Sequence, residues 1–296
     1  MHSKLGAALM AQNKASEAIP HFEHAIALKP NLPGAYEDLA KACLAAGQLR
    51  SAIGAASRAL ALHETAQTKT LFAQCVREAR FTADDGRIRK LMLRALSEIW
   101  DRPRDLTGAC ISLIRLDAVV SGLIARANSA WPARLPATEL LGSSLALSRD
   151  QLLRRLLECT PITDVGFERI LTNVRRAILT INTTDNARDE QLLGFYCAVA
   201  RQCFINQYVF SVTEVEANQA QRLRESLERA LAVGDPCPEI WLAIVGAYFP
   251  LHTLSKADAL LDRSWPACVG ALLVLQVKEP AEERQIAAGI PVLTSI

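Results

Sequence analysis

The chain has 296 residues, of which 50% are hydrophobic and only 5% are aromatic. Its apolar content is therefore mostly alanine and leucine, which favour helices and exclude a disordered chain. The 33 basic residues nearly balance the 31 acidic ones, so the sequence predicts neither a nucleic-acid partner nor an anionic membrane partner.

The N-terminal part of the sequence repeats at an interval of about 34 residues. Residues of matching position recur in register, and the aligned pairs are Gly6–Ala40, Ala18–Ala52, Phe22–Ala56 and Ala25–Ala59. Two antiparallel helices approach closely only where side chains are small, and a larger residue fills the adjacent hole. The interval and these residues resemble tetratricopeptide-type helical hairpins.

The breaks in the pattern place the helices of these hairpins. Asn13-Lys14 and Gly47-Gln48 interrupt each hairpin, and the segment 30–33 contains two prolines that end the first unit. Helices are predicted over 3–12, 15–28, 33–46 and 49–62, with a fifth helix over 66–80 as a cap. The alternative is an alanine-rich bundle with chance spacing.

The first helix of each such hairpin lines a concave groove that takes an extended peptide or a partner helix. The predicted lining residues are Ser3, Ala7, Met10, Glu37, Lys41, Leu44 and Leu71, with Cys75 beside them. Glu37 is expected to pair with Lys41 one turn later, which disfavours a clamp for a C-terminal carboxylate. The alternative is that this groove packs against the next domain of the same chain.

After Arg80 the helical pattern continues less regularly. Thr82 is predicted to cap a helix running through Leu96, and Pro103 to open a longer one. Further helices are predicted over 147–158, 164–181, 189–206, 213–233, 238–248, 255–263 and 266–277. No convincing strand pattern is present. The sequence thus predicts an all-α fold with a repeat domain over 1–81, a second, irregular helical domain over 82–277 and a connector over 278–296.

Motifs that would carry catalysis are missing from the sequence. The glycines form neither GxGxxG nor GxxxxGK[ST], so no phosphate-binding loop and no cofactor is predicted. The segment 142–144 lacks the second glycine of a nucleophile elbow and is interpreted as a turn. Arg154-Arg155 and Arg175-Arg176 lack the interleaved aromatics of a nucleic-acid site and are interpreted as solvated faces.

The candidates for metal or thiol chemistry are histidines, cysteines and the acidic segment 185–190. His21 and His24 share a helix face, but no third ligand lies near them in sequence, so surface histidines are favoured over a metal site. His252 is interpreted as part of a structural corner, and Cys197 and Cys203 as core thiols. The segment 185–190 is interpreted as a cap and loop, with a cation site as the weaker alternative.

Two features of the sequence indicate the cellular compartment, namely the scattered cysteines and the lack of an apolar leader. The eight cysteines form no CxxC pair, and free thiols are typical of a reducing compartment. No stretch reaches the ~18 apolar residues of a membrane span, and MHSKLGAALMAQNK lacks the apolar run of a signal peptide. A cytoplasmic location is therefore expected.

Three segments together resemble a known arrangement: 195–216 (FYCAVARQCFINQYVFSVTEVE), 242–254 (LAIVGAYFPLHTL) and 277–296 (VKEPAEERQIAAGIPVLTSI). They are similar to the non-catalytic region of bacterial proteins that fuse tetratricopeptide repeats to an S-adenosylmethionine-dependent methyltransferase. The segments 131–142 and 159–171 fit the same pattern. The cofactor-binding domain of that family would follow Ile296, so no family catalytic residue maps onto this chain.

This resemblance implies a protein-interaction scaffold that recognises a partner for a methyltransferase domain. It also implies that the chain is a truncated gene product or a fragment. The methyltransferase catalytic domain itself is then a second expected partner, beside a protein or peptide in the groove. The alternative from another class is an enzyme, with S-adenosylmethionine binding or methyltransferase activity residing in the helical domain.

Overall fold

The computed structural model describes residues 1–180 and 189–289, and over these ranges the regular structure is helical without a strand. The predicted all-α class is confirmed. The helices are α1 (His2–Ala11), α2 (Ala15–Leu28), α3 (Pro33–Ala45), α4 (Leu49–Leu62), α5 (Ala66–Val76), α6 (Gly86–Ser97), α7 (Pro103–Ile114), α8 (Ala118–Ala130), α9 (Ala137–Arg149), α10 (Gln151–Cys159), α11 (Val165–Ile178), α12 (Glu190–Ile205), α13 (Glu214–Val233), α14 (Glu239–Gly246), α15 (Ala267–Leu273) and α16 (Glu279–Gly289).

The chain divides into two compact units, Met1–Leu116 and Asp117–Ile296. In the first unit α5 contacts α7 and α6 packs on α7, so the unit that holds the hairpins extends past residue 81. The predicted boundary at residue 81 marks only the end of the repeat spacing. In the second unit the predicted connector over 278–296 includes α16, so its first part is helical.

Small residues bring the hairpin helices together as the repeat spacing predicts. Consecutive helices from α1 to α5 pack on one another in chain order. Ala18, Ala40, Ala52 and Ala56 are fully buried between them. Phe22 is 1% exposed, and it fills the space that a side chain at position 6 would otherwise occupy. The fold of this region therefore depends on alanine and glycine at the helix contacts.

We expect Gly6→Ala to lower the free energy of unfolding by about 1–3 kcal/mol, the usual cost of overpacking. A Cβ at Gly6 would lie 2.7 Å from Cε1 of Phe22, closer than two carbons approach. Gly54→Ala is the matched control, because a Cβ there meets nothing within 4 Å and alanine favours the helix by up to ~1 kcal/mol. Urea unfolding followed by circular dichroism measures both changes, and equal effects would contradict the packing argument.

Several helix ends differ from those expected, because a nearer side chain caps the helix. The carboxylate of Asp85 accepts from the backbone N–H of Arg87 at 2.9 Å, so α6 is capped by Asp85 and the prediction of Thr82 was wrong. The long pattern after Pro103 is broken at Asp117, whose Oδ1 accepts from the N–H groups of Val119 and Val120 at 2.8 and 3.1 Å. An aspartate that bonds free N–H groups starts a new helix even within an apolar run.

Further helices of the second unit begin at side-chain caps. Asp164 and Asp189 cap α11 and α12, and Thr213 with Glu216 forms a capping box on α13. The predicted helix over 255–263 is replaced by short 3₁₀ turns at Leu251–Thr253 and Ala257–Leu260. The segment 142–144 lies inside α9 and is not the expected turn.

α12 is the central helix of the second unit and packs on α9, α10, α14 and α15. A π-helical segment, Val274–Lys278, joins α15 to α16 and contains the fully buried Gln276. His252 lies in the turn opposite this segment, with its Nδ1 3.2 Å from the carbonyl oxygen of Gln276. The structural role expected for His252 is therefore confirmed.

Within residues 1–180 and 189–289, no single helix is long and apolar enough to cross a membrane. The consecutive helices α7 and α8 together have the length and apolar composition of a membrane span, but they are bent by 99° where they join.

Candidate partner-binding surface

The first helices of successive hairpins lie side by side. α3 contacts both α1 and α5, while α2 and α4 each pack between consecutive first helices. The residues of α1 and α3 that face neither neighbour in a hairpin are therefore the candidates for a shared surface.

Six of the predicted lining residues retain solvent exposure on this surface. Ala7 and Lys41 are exposed, whereas Ser3, Met10, Glu37 and Leu44 are half-buried. We call the set Ser3, Ala7, Met10, Glu37, Lys41 and Leu44 the repeat groove. Its apolar members are Ala7, Met10 and Leu44, each with part of its side chain open to solvent.

The two residues expected from α5 lie elsewhere. Leu71 is 4% exposed and Cys75 is fully buried. Both pack in the core because α5 lies against α3, α4 and α7. Leu71 is therefore not part of the exposed surface, and the repeat groove is shorter than the sequence suggests.

The charges on α3 make different contacts from those expected. Glu37 accepts a hydrogen bond from Nε2 of Gln67 in α5 at 3.0 Å, and no ion pair joins it to Lys41 in the part of the chain that the structure describes. Lys41 lies near Asp38, whose pKa is raised by burial and drawn back down by the lysine charge. The lysine is thus partly neutralised by Asp38, which weakens any capture of a carboxylate.

Helices α1 and α2 bring three histidines together. The ring of His2 lies 4.1 Å from the ring of His24 and 6.0 Å from that of His21, measured between centroids. Burial and the two neighbouring imidazoles lower the pKa of His2. Sequence spacing missed His2 because it belongs to another helix. Among the described residues, no group of three His, Cys, Asp or Glu side chains has a geometry that could hold a metal ion.

Residues 9–75 match a family model described as Tetratricopeptide repeat. The chain contains tetratricopeptide repeats. The match spans α2 to α4 and nearly all of α5, and it agrees with the pairwise packing of these helices. No curated protein and no solved structure matches the chain. Tetratricopeptide repeats generally mediate protein–protein interactions, so the surface of α1 and α3 is the first candidate site.

Outside the repeats, one arginine doublet was interpreted wrongly. Arg176 is half-buried, but Arg175 is completely buried. Its guanidinium carbon lies 4.6 Å from the ring centroid of Tyr248, and its Nη2 donates to the carbonyl oxygen of Ser211 at 2.8 Å. Arg175 is thus a packing residue of the second unit rather than a solvated charge.

The doublet Arg154-Arg155 and residue Asp189 of the acidic segment lie at ordinary helix positions. Arg154 and Arg155 lie 3.7 and 3.3 Å from the carboxylate of Glu158, and both are half-buried. In the segment 185–190, residues 185–188 lie outside the described residues, and Asp189 serves as the cap of α12. Cys197 and Cys203 are buried as expected.

Proposed function

We propose that the chain is a protein–protein interaction scaffold that binds an extended peptide or a partner helix in the repeat groove. The observation that carries this proposal is the conjunction of tetratricopeptide repeats with half-exposed apolar side chains on adjacent first helices. The role requires no chemistry by the chain itself. A reducing, cytoplasmic compartment is part of the proposal, since the eight cysteines are free.

The chemistry of the repeat groove narrows the partner. Met10 and Leu44 supply apolar contact, and Ala7 leaves room for the partner's backbone to approach. Asp38 offsets the charge of Lys41, so an acidic segment gains little from this surface. The preferred partner is therefore a segment with apolar side chains and without a cluster of acids.

We expect Met10→Glu combined with Leu44→Glu to weaken peptide binding by at least about tenfold, which corresponds to about 1.4 kcal/mol. Each glutamate replaces an apolar contact with a charge that must lose water on binding. A displayed library of random peptides, selected on the immobilised chain, supplies the probe, and fluorescence anisotropy of the enriched peptides measures affinity. Circular dichroism checks that the double variant remains helical.

Leu28→Glu is the matched control for this experiment. Leu28 is 66% exposed on α2, the second helix of its hairpin, so a charge there leaves the repeat groove intact. Binding that survives in the double variant, or that falls equally in the Leu28 variant, places the interaction elsewhere.

A methyltransferase domain is the finer proposal for the partner. The supporting observation is the resemblance of segments 195–216, 242–254 and 277–296 to the region beside the catalytic domain in methyltransferase fusions. In this proposal the repeats recruit a substrate and the second unit contacts the catalytic domain. Calorimetry of the chain with S-adenosylmethionine tests the division of labour: saturable binding would assign the cofactor to this chain and favour an enzyme.

A further inference from the structure

The segment between α12 and α13 presents an exposed serine outside any helix. Residues 209–213 have no helical structure, and Ser211 is exposed among them. Phe210 is 2% exposed and anchors the segment in the core, whereas Val209 and Val212 are 68% and 45% exposed. Non-helical surface segments are the parts of a folded chain that a modifying enzyme can reach, so the hydroxyl of Ser211 is accessible to one.

Two guanidinium groups converge on this serine. Nη2 of Arg134, between α8 and α9, donates to the hydroxyl oxygen of Ser211 at 2.6 Å and lies 3.4 Å from its carbonyl oxygen. Nη2 of Arg175, in α11, donates to the same carbonyl oxygen at 2.8 Å. Two positive charges from distant parts of the chain therefore meet at a neutral residue, where they repel each other.

Arg134 has unused hydrogen-bond donors at this point. Its Nε and Nη1 are shielded from solvent and have no hydrogen-bond partner within residues 1–180 and 189–289. The ring of Trp131 lies 4.6 Å from the guanidinium carbon and covers one face, which leaves the edge with Nη1 and Nη2 for hydrogen bonds. Buried donors without an acceptor are rare in folded proteins, and an oxyanion attached at the Ser211 hydroxyl would supply one.

Positive charge is in excess around Ser211. Burial, followed by the charges of Arg175 and Arg176, lowers the pKa of Arg134. The carboxylate that acts against these charges is that of Glu216, which is 1% exposed. Both of its oxygens already accept other hydrogen bonds. A group with about two negative charges would balance the three guanidinium groups against this carboxylate.

We propose that Ser211 is a phosphorylation site and that the guanidinium of Arg134 holds its phosphate group. A protein kinase would transfer the γ-phosphoryl group of a nucleoside triphosphate to Oγ of Ser211. The P–O bond to Oγ forms, the P–O bond to the diphosphate breaks, and the hydroxyl proton passes to a base of the kinase. The phosphate carries about 1.5–2 negative charges at pH 7. Its oxygens replace the hydroxyl as acceptor for Nη2 and provide an acceptor for Nη1.

The start of α13 adds a smaller attraction for the phosphate. Ser211 lies two residues before Thr213, the N-cap of this 20-residue helix. The N-terminus of a helix carries partial positive charge, which favours a phosphate there. Glu214 and Glu216 in the first turn oppose it by repulsion. The arginines must therefore supply most of the attraction, and replacement of Arg134 is the decisive variant.

Phosphorylation would tie together two segments of the second unit, the one before α9 that carries Arg134 and the one before α13 that carries Ser211. Both segments lie outside the regular helices, so their exchange with solvent should slow when the new hydrogen bonds form. No residue of the repeat groove takes part, so the proposal stands independently of peptide binding.

Incorporation of phosphoserine at position 211 during translation of the full chain tests how the phosphate is held. Free phosphoserine has its second pKa near about 6, and a guanidinium beside it favours the dianion. We expect the phosphorus NMR titration of the folded chain to inflect at least about half a pH unit below that of the same chain in urea. The thermal midpoint should rise by at least about 2 °C. An inflection no lower than in urea would overturn the proposal.

Variants of the phosphoserine-containing chain assign the effect to one arginine. In Arg134→Gln the inflection should return towards the value in urea, whereas Arg134→Lys keeps the charge and should retain part of the shift. Arg126→Gln is the matched control, because Arg126 is exposed and pairs with Glu139 at 2.6 Å. Equal inflections in the Arg134→Gln and Arg126→Gln chains would show that Arg134 does not hold the phosphate.

Phosphopeptide mapping of the chain from its own cells tests whether the modification occurs. Trypsin releases residues 202–222 as one peptide, in which Ser211 is the only serine. We expect a fraction of this peptide to carry phosphate on Ser211. Its absence in all growth phases, or phosphate on Thr213 alone, would overturn the proposal. So would an equal thermal stabilisation of the unmodified chain by millimolar inorganic phosphate, because the site would then belong to a free ligand.

Discussion

Replacement of Gln276 by leucine is expected to lower the free energy of unfolding by about 2–4 kcal/mol, because the N–H of Leu251 loses its acceptor and the carbonyl oxygens of Ala200 and Gly246 each lose one donor. The Nε2 of Gln276 donates to the carbonyl oxygens of Ala200 and Gly246 at 3.1 and 3.0 Å, and its Oε1 accepts from the N–H of Leu251 at 3.1 Å. The side chain is fully buried, so water does not replace these bonds.

The affected groups explain why one amide has so large an effect. Ala200 belongs to α12, Gly246 ends α14, and Leu251 begins the 3₁₀ turn that follows. One side chain therefore satisfies the backbone of three separate elements that meet in the core. Leucine has a similar volume, which limits the cavity contribution and makes the loss of hydrogen bonds the main term.

Urea unfolding followed by circular dichroism measures the change, and hydrogen exchange of peptides from α12 and α14 locates it. Gln219→Leu is the matched control, because Gln219 is exposed on α13 and surface substitutions usually change stability by less than about 0.5 kcal/mol. A leucine variant at position 276 as stable as the control would show that these hydrogen bonds contribute little net free energy.

The second large effect is expected for Arg175→Met, with a loss of about 2–4 kcal/mol. The Nη2 of Arg175 donates to the carbonyl oxygens of Ser211 at 2.8 Å and Phe210 at 3.4 Å. The guanidinium also lies over the ring of Tyr248, in cation–π contact. Methionine keeps much of the apolar stem but removes the donors that hold the segment between α12 and α13.

The cost of burying the charge of Arg175 opposes the stabilisation from its contacts, so the stability of this variant shows which effect is larger. Burial of a charge costs free energy, and apolar replacement of a buried ionic group is sometimes stabilising. The loss of the carbonyl contacts should dominate here, because Phe210 is 2% exposed and its carbonyl acceptor is held in the protein. Faster hydrogen exchange at residues 209–212 would accompany the loss of stability.

Arg176→Met is the internal control for this prediction. Arg176 is the neighbouring residue on the same helix and is half-buried, so its replacement should leave stability nearly unchanged. A gain in stability for Arg175→Met, measured by urea unfolding, would instead show that desolvation of the charge outweighs its contacts.

The hairpins could be predicted from sequence because their packing rule is local and periodic. Ala40 and Ala56 recur at the repeat interval, and a helix contact that admits only small residues leaves such a trace. The predicted bounds of α2 and α4 agree with the observed helices for the same reason. Caps are equally local, yet Asp85 was chosen over Thr82 by the geometry of the turn, which composition does not specify.

Contacts between distant parts of the chain leave no comparable pattern in the sequence. The doublet 175–176 has the pattern of a solvated face, and only the folded chain brings the rings of Phe210 and Tyr248 around Arg175. The assignment of the repeat groove to α1 and α3 stays a prediction, whereas the burial of Leu71 depends on the packing of α5 in the folded chain.

The π-helical segment between α15 and α16 accommodates one residue more than a regular helix would over the same turn. Each residue rotates an α-helix by about 100°, so this extra residue sets which side of α16 follows on from the buried side of α15. Loss of the codon for residue 274 or 275 would turn α16 by nearly a third of a circle and swing the amide of Gln276 away from its three backbone partners. In this stretch, a change in chain length is therefore more damaging than most changes of side chain.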